Sequence, residues 1–440
     1  MFNTLVLNAI FEILLPPPCF KQAASSFYQC RGRGLSEESG YRGGQEEDPA
    51  VKLGTFLPVL SSVLQRPLAA RAMRRRLPSA LPPVFSKSKL DLAYSAVCLS
   101  RRAHPAKSDI WNLRRSWAHD RADVLAALVA GTYRFSPLLR VETAAGEMVD
   151  MWSSHDAVVL KLLANHLAEL LPRSTSCTHL KGHGGLKGAV RRVAEALPAH
   201  RFVMRTDVKS YYASIDHERL LQRLEVHVKD RRVLNLVYQY LKRTVEIGGT
   251  FLDIDRGLSP GCALSPVMGA FFCYELDVVM EAQAERDGLL YVRYMDDILV
   301  LAPTRWSLRR AVITVNRTLS GLGLDKHPDK TFIGPIVRGF DFLGYHLQGE
   351  PGQPGRLTLA AKTIQNFKVK MSQLYEQNRR LLRTAQGRQA VEARLRQYIH
   401  RFCGWVHGGL SHAFGIDRTT GEALLIGAGC ACKLRCGSAR

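Results

Sequence analysis

The sequence has no uninterrupted apolar run of about 18 residues or more, the length that a membrane-spanning helix requires. Its apolar start, Met1–Leu15, lacks a basic beginning and a clear cleavage site of small residues, so it does not fit the pattern of a signal peptide. We therefore expect no membrane-spanning segment and no membrane partner.

A disulfide framework is also missing. The ten cysteines are scattered over 440 residues, and a chain of this length needs no disulfides to build a core. Cys430, Cys432 and Cys436 lie close together, but three thiols without a nearby fourth ligand make a poor zinc site. The pattern predicts reduced thiols in a cytoplasmic protein.

Acidic residues are scarce relative to basic ones. Lys and Arg number 61 against 39 Asp and Glu, which gives a net charge of +22 at pH 7. Such an excess favours a polyanionic partner, above all nucleic acid, and binding that weakens as salt rises. A soluble basic protein without such a partner is the competing interpretation.

Composition and periodicity change along the chain. Residues 32–49 are rich in Gly and Glu, and residues 349–355 form a Gly- and Pro-rich linker. The spacing of apolar residues is helical from Leu90 to Leu171 and again after the linker. We expect an irregular leader (1–75), an N-terminal helical region (76–200), a mixed region (201–348), a helical region (355–412) and a tail (413–440).

The most informative stretch is YVRYMDDILVLA, residues 291–302. Two apolar runs, Leu289–Tyr294 and Ile298–Leu301, flank a turn that contains Asp296 and Asp297, a pattern typical of a β-hairpin. Carboxylates on such a rigid support are the ligands that Mg²⁺ takes when it shares its other positions with a phosphate. An ordinary surface hairpin with an acidic turn is the alternative.

Other patterns predict further elements. The apolar run Phe202–Val208, which contains Asp207 near its end, indicates a buried strand. The remaining predictions are a Lys- and Gly-rich loop (181–188) that opens a helix (189–197), a turn (257–266) that opens an apolar helix (267–280), a helix (307–319) and a short strand (342–345).

Asp207, Asp296 and Asp297 can meet on one sheet, because the first closes a strand and the others lie on a later hairpin. Clustered carboxylates repel one another unless cations neutralise them. Two Mg²⁺ ions roughly 4 Å apart, for which Mn²⁺ can substitute, are the usual solution for in-line phosphoryl transfer. The three acids therefore predict a two-metal site.

Together these motifs resemble those of the reverse transcriptases. In the order of that family, within residues 105–412, the chain has RTDVKSYYASIDH (205–217), GLSPGCALSP (257–266), RYMDD (293–297), HPDKT (327–331) and FLGY (342–345). The LSP-type block followed by a basic helical segment is most similar to bacterial group II intron-encoded and group II-like enzymes. The resemblance implies an α+β right-hand polymerase fold: fingers in 76–200, an RRM-like palm with an antiparallel sheet in 201–348 and a helical thumb in 355–412.

The resemblance also implies roles for matching residues. Asp207, Asp296 and Asp297 would be the catalytic metal ligands, joined by the main-chain carbonyl of Val208. Lys330 would approach the incoming triphosphate as a general acid for pyrophosphate, with a solvated loop lysine as the simpler alternative.

Tyr212 lies where the family places an aromatic steric gate, which excludes the ribose 2′-hydroxyl and so favours dNTPs. Core packing is the alternative role for this ring. The other implied contacts are Lys181, Lys187, Pro260 and Gly261 for the dNTP, and Tyr294, Met295, Phe342, Leu343, Gly344 and Tyr345 for the primer.

The implied activity is RNA-directed DNA synthesis: a nucleotidyltransferase that uses an RNA template, a DNA or RNA primer and dNTPs, with a structured cognate RNA as a further partner. Pro260 departs from the family pattern, which has Gln there, and proline supplies no amide donor. We expect this to affect fidelity and template preference more than catalysis. The alternatives are a maturase-like RNA-binding splicing cofactor and a stand-alone enzyme of antiviral defence or repair.

Overall fold

The computed structural model describes residues 84–142 and 148–410. The predictions for the leader (1–75), the tail (413–440) and the three C-terminal cysteines lie outside these residues. Within them, helices occur together with mainly antiparallel sheets, which is consistent with the expected α+β class. None of the described helices has both the length and the apolar character to cross a membrane.

Three helices begin the described chain: α1 (Lys87–Ser100), α2 (Ile110–Ala130) and α3 (Ser154–Leu170). The Ser86 side chain accepts the Lys89 N–H and so caps α1, while Gly131, at φ 73°, ends α2 in the left-handed conformation that glycine tolerates.

The expectation of helix throughout Leu90–Leu171 is wrong in its middle part. Residues 138–151 contain an antiparallel pair of strands, β1 (Leu138–Glu142) and β2 (Met148–Met151). The strand β1 also pairs in parallel with β4 (Thr244–Ile247), where Leu138 lies opposite Val245. A partner this distant in sequence leaves no local periodic signal.

The sheet that carries the acidic motifs has four antiparallel strands: β3 (Phe202–Asp207), β6 (Leu290–Tyr294), β7 (Asp297–Ala302) and β8 (Phe332–Pro335), in the order β6-β7-β3-β8. The predicted strand that ends at Asp207 and the predicted hairpin are both confirmed. Because Asp207 lies directly opposite Asp297, the register puts both carboxylates at one end of the sheet.

Helices pack against this sheet. The helix α10 (Arg305–Gly321), which buries Leu308, Ala311 and Val315, packs against β3 and β7, while α4 (Gly185–Ala196) packs against β6. The predicted helix 267–280 is two helices, α8 (Ser265–Phe272) and α9 (Tyr274–Asp287), because the backbone leaves helical geometry at Cys273. Between β3 and β6 also lie α5 (Tyr211–Ser214), α6 (His217–His227), α7 (Arg231–Leu241) and the hairpin of β4 with β5 (Thr250–Asp253).

The third sheet follows in the order β11-β10-β9, from β9 (Phe340–Phe342), β10 (Tyr345–Gln348) and β11 (Arg356–Leu359). The block at 342–345 was predicted to be one strand, which is wrong. It is a hairpin whose two turn residues, Leu343 (φ 49°) and Gly344 (φ 87°), both have the positive φ of a tight two-residue turn.

Two helices end the described chain, α11 (Ala361–Gln377) and α12 (Ala385–Leu410). Phe367 of α11 is buried and stacks on Phe402 of α12, with ring centroids 4.2 Å apart, and on Tyr398 at 5.6 Å. The apolar stripes predicted for this segment therefore face one another.

Candidate active site

Three carboxylates meet where the four-stranded sheet ends. Asp207 is the last residue of β3, Asp297 is the first of β7, and Asp296 lies in the turn that precedes it. The sequence predicted both Asp296 and Asp297 in the turn, but Asp297 belongs to the strand because it pairs with Tyr294. The Val208 N–H donates to the Asp296 carbonyl at 3.2 Å, which ties the turn to the end of β3.

The carboxylates line a cleft of about 450 Å³ together with Lys330. The opposite side of this acidic cleft comes from the third sheet and from α11. These further lining residues include Asp341, Phe342, Leu343, Gly344, Lys362, Thr363 and Asn366.

The surroundings of the acidic cleft disfavour the ionised form of two of its carboxyl groups. Burial raises the pKa of Asp296 to about 6, and a hydrogen bond with Asp207 adds to the effect. Burial also raises the pKa of Asp297, against the opposing pull of the Arg205 guanidinium 3.6 Å away. A cation bound by these carboxylates would offset the cost of burying their negative charge.

A lysine is bonded directly to one of the three acids. The Lys330 ammonium donates a hydrogen bond to Oδ2 of Asp207, and this bond raises the pKa of Lys330. Lys330 reaches the carboxylate from a short 3₁₀ turn, Pro328–Lys330, and the His327 N–H anchors that turn to the Asp207 carbonyl at 2.7 Å. Lys330 therefore lies beside the acids, and its contact with a triphosphate stays a prediction.

The donor chemistry of this cleft fits Mg²⁺, which prefers carboxylate oxygens and retained water. In residues 84–142 and 148–410, however, no three His, Cys, Asp or Glu side chains are already arranged as a formed metal site. Lys330 occupies Asp207 and the two aspartates Asp207 and Asp296 share a hydrogen bond, so a metal ion would have to displace these contacts.

A second cleft, of about 510 Å³, lies on the other side of the hairpin turn. Its lining includes Tyr212, Gly261, Pro266, Met295 and, from α3, Lys161. The adjacent turn residues Met295 and Asp296 therefore face two different clefts, and we call this one the tyrosine cleft.

The Tyr212 ring is held in place by its neighbours. It stacks on Tyr211, with centroids 5.6 Å apart, and its hydroxyl lies 4.0 Å from the Met295 sulfur. A Cβ at Gly269 would come within 2.9 Å of the ring, so glycine is what allows this close approach. Burial, and then the charge of Asp296, raises the pKa of Tyr212 to about 12, so the hydroxyl is un-ionised at neutral pH.

Several predicted contact residues do not reach either cleft. The Lys187 ammonium donates to the Tyr345 hydroxyl and to the Trp405 carbonyl, and it lies 4.1 Å from the centre of the Trp405 ring. Burial lowers the pKa of Lys187 to about 8. Tyr345 is fully buried beside it, so these two side chains join α4, β10 and α12. Lys181 and Pro260 are exposed and line neither cleft.

Sequence reasoning missed residues that the structure brings to the clefts. Arg205 was detectable, because it lies two positions before Asp207 on the same strand and therefore on the same face. Lys161 carried a weaker signal, a single basic residue in an apolar helix. Asp341 and His179 had none, because only the tertiary fold places them near the acids or the hairpin turn, whereas Lys362 belongs to the basic helical segment that the sequence indicated for nucleic-acid contact.

Residues 155–347 match the family described as "Reverse transcriptase (RNA-dependent DNA polymerase)". This range includes Asp207, Asp296, Asp297 and Lys330, and the strands that carry the acids. The chain therefore contains a reverse transcriptase domain, which is an enzyme domain of the nucleotidyltransferase class.

Two curated proteins are similar over parts of the chain. Protein YkfC of Escherichia coli (strain K12) is 22% identical over 209 residues, which cover 40% of this chain and 55% of that protein. The Retrovirus-related Pol polyprotein from type-1 retrotransposable element R2 of Nasonia vitripennis is 28% identical over 137 residues, 28% of this chain and 13% of the polyprotein. The chain thus aligns with about half the length of the first relative and a small part of the second.

Proposed function

We propose that this chain copies RNA into DNA by adding dNTPs to a primer 3′-hydroxyl, with two Mg²⁺ ions as cofactors. The observation that carries this proposal is the meeting of Asp207, Asp296 and Asp297 at one end of an antiparallel sheet, beside an open cleft. The matched family supports the same chemistry.

The three carboxylates, with the Val208 carbonyl, are the proposed metal ligands. When bound, the two ions would activate the 3′-hydroxyl and neutralise the charge that develops on pyrophosphate. Before the site can load, Lys330 must release Asp207, which frees its ammonium to contact the triphosphate. Lys330 could then donate a proton to the leaving pyrophosphate.

The tyrosine cleft is the proposed site for the base and sugar of the incoming nucleotide. Tyr212 and Gly261 line it next to the acids, and a fixed ring there would clash with a 2′-hydroxyl. Lys161 is the lining residue with the charge to approach the triphosphate. We assign it the contact that the sequence suggested for Lys181 and Lys187.

The primer terminus would lie in the acidic cleft. The turn Leu343–Gly344 and the side chain of Phe342 border that cleft, and Lys362 of α11 adds a positive charge for the primer phosphates. Tyr294 and Met295 remain proposed contacts beneath the terminal base pair. In this layout residues 76–200 form the fingers, 201–348 the palm and 355–412 the thumb of a group II-like enzyme.

A second candidate function is RNA binding as a maturase-like splicing cofactor. Its support is the basic surface of the last two helices, which together expose a series of cationic side chains: Lys362, Lys370, Arg388, Arg394, Arg396 and Arg401. These residues suit a structured RNA as well as a primer–template duplex.

Primer extension on an RNA template with Mg²⁺ and dNTPs tests the proposal. We expect the wild-type protein to extend the primer and Asp296→Ala to lose extension while RNA binding is retained. Asp255→Ala, which removes an exposed carboxylate that lines neither cleft, is the matched control and should remain active. Extension by Asp296→Ala at the wild-type rate would refute the metal assignment, and binding without extension by any protein would favour the splicing cofactor.

A further inference from the structure

The turn that carries Asp296 contains a strained residue. Met295, the first residue of the turn, has a φ of 56°, in the left-handed region that a non-glycine residue adopts only at a cost. Both of its backbone polar groups have side-chain partners. Its N–H donates to His179 Nδ1 at 3.1 Å, and its carbonyl accepts from Arg293 Nη1 at 3.0 Å.

These partners settle how the His179 ring is protonated. The Met295 N–H can only donate, so Nδ1 must accept; the Pro266 carbonyl, 3.1 Å from Nε2, can only accept, so Nε2–H must donate. The ring is therefore neutral, in one tautomer. It connects the hairpin turn to the Pro266 segment, which lines the tyrosine cleft.

Arg293 is rigidly held on the other side of the turn. The side chain is fully buried and donates to both carboxylate oxygens of Asp277, at 2.7 and 2.5 Å, while the Tyr291 hydroxyl donates to the same carboxylate at 2.8 Å. The backbone of Arg293 exchanges hydrogen bonds with Ser176 and Thr178, at 2.9 Å each, in the segment that leads into His179.

We propose that His179 is a positioning residue: together with Arg293 it holds Met295 in the left-handed conformation and thereby sets the place of Asp296 in the acidic cleft. This role rests on the proposed function, because its purpose is to fix a metal ligand. Released from its acceptor, the Met295 peptide would relax toward ordinary backbone angles, and the neighbouring Asp296 would move with it.

The surroundings of the ring keep Nδ1 available. Burial lowers the pKa of His179 to about 4, with a smaller contribution from the charge of Arg293. The other titratable groups around it are Cys177 and His183 on its own loop and Tyr294, whose ring meets the imidazole edge to face at 5.9 Å. The hydrogen bond from Nε2–H to the Pro266 carbonyl raises the pKa of His179, but burial outweighs it, and no described carboxylate adds to that effect.

Two substitutions separate the two hydrogen bonds of the ring. His179→Asn can present its amide oxygen near the position of Nδ1 and so still accept from Met295, but it does not extend to Pro266. His179→Gln extends to Pro266 with its amide N–H, but its amide group lies one carbon further from the backbone, so no acceptor remains at the position of Nδ1 for the Met295 N–H. The matched control is His183→Asn, because His183 lies in the same loop and bonds the Cys177 carbonyl at 3.1 Å without touching the turn.

The assays are kcat and KM for dNTP in primer extension, Mn²⁺ binding followed by electron paramagnetic resonance, and amide exchange of a peptide that covers Met295. For His179→Gln we expect kcat to fall about tenfold or more, KM to change less than about threefold, Mn²⁺ to bind more weakly and Met295 to exchange faster. His179→Asn should stay within about threefold of wild type in every assay, and His183→Asn should match wild type.

Equal losses in the Asn and Gln variants, or a Gln variant with wild-type kcat and Mn²⁺ binding, would overturn the proposal. Thermal unfolding of each variant identifies a loss that comes from misfolding, and the amide exchange of a folded His179→Asn protein still tests the contact in that case. If the wild-type protein extends no primer, the proposed function fails, whereas Mn²⁺ binding and amide exchange still test the role of His179.

Discussion

Lys330 donates a hydrogen bond to Asp207, one of the proposed metal ligands, so a cationic side chain of the protein is bonded to a carboxylate that would hold a metal ion. The same ammonium is the proposed proton donor for pyrophosphate. In the proposed mechanism these two roles follow one another, because Lys330 leaves Asp207 before it contacts the triphosphate. Metal loading and the placement of the general acid are therefore coupled.

The coupling predicts opposite effects of Lys330→Ala on metal binding and on turnover. Without the ammonium, Asp207 is free, so Mg²⁺ should bind more tightly. In contrast, kcat should fall by roughly 10²-fold, which is the lower end of what a general acid contributes to a rate. Titrations of Mg²⁺ against the extension rate measure both. Lys209→Ala, an exposed neighbour, is the control, and weaker Mg²⁺ binding in Lys330→Ala would contradict the coupling.

Tyr212→Ala should relax the choice of sugar. Removing the ring opens space beside Gly261, and a clash worth about 1–3 kcal/mol would disappear, so discrimination against ribonucleotides should drop roughly tenfold to a hundredfold. The measurement is the ratio of kcat/KM for a dNTP and the matching rNTP. Tyr212→Phe keeps the ring and should keep the ratio, and unchanged selectivity in Tyr212→Ala would remove the gate assignment.

Lys161→Ala should raise the KM for dNTPs by roughly tenfold, the cost of one charge-assisted contact, with a smaller change in kcat. Lys181→Ala is the informative comparison, because Lys181 is exposed and lines neither cleft. Steady-state kinetics on a saturating primer–template measure both variants. The assignment is wrong if Lys181→Ala raises KM and Lys161→Ala does not.

Asp296 should destabilise the metal-free protein at neutral pH. The pKa of Asp296 is raised from the ordinary 3.8 to about 6 in the folded protein. Between these two pH values the folded protein keeps a proton that the unfolded protein has already lost, so protonated Asp296 favours folding. This contribution to stability is lost as the pH rises through 6. Asp296→Asn should therefore unfold at a higher temperature than wild type at pH 7.5 in EDTA, and the difference should shrink near pH 5.

Added Mg²⁺ should reduce the difference in unfolding temperature between Asp296→Asn and wild type at pH 7.5, because Mg²⁺ binds the folded wild type and stabilises it. Thermal unfolding at the two pH values, with and without Mg²⁺, supplies all the comparisons. A wild type that is more stable than Asp296→Asn in EDTA at pH 7.5 would show that the ionised Asp296 side chain does not destabilise the metal-free protein.

The elements that carry the acids could be predicted because their signals are local. An apolar run that ends in Asp207, and two apolar runs around a two-residue turn, encode a strand and a hairpin within a few positions. The strand β1 could not be predicted in this way, because it forms by pairing with β4, and Leu138 and Val245 lie far apart in sequence.

Side-chain direction limited the prediction of the site. Lys187 belongs to a Lys- and Gly-rich loop that suggested phosphate contact, yet the start of α4 turns its ammonium toward Tyr345 and Trp405. His179 comes from the same stretch and reaches the catalytic turn instead. The packing of this loop against β6 determines which polar side chain faces Tyr345 and Trp405 and which one faces the catalytic turn. That packing leaves no signal in the local sequence.

The most direct test of the central claim is single-nucleotide addition to a DNA primer on RNA templates that differ only in the first templating base. The account predicts that the purified protein adds the complementary dNTP on each template, in the presence of Mg²⁺, and that Asp296→Ala adds none while it still binds the primer–template. Addition of the same nucleotide whatever the templating base, or equal addition by Asp296→Ala, would contradict RNA-directed synthesis at these three carboxylates.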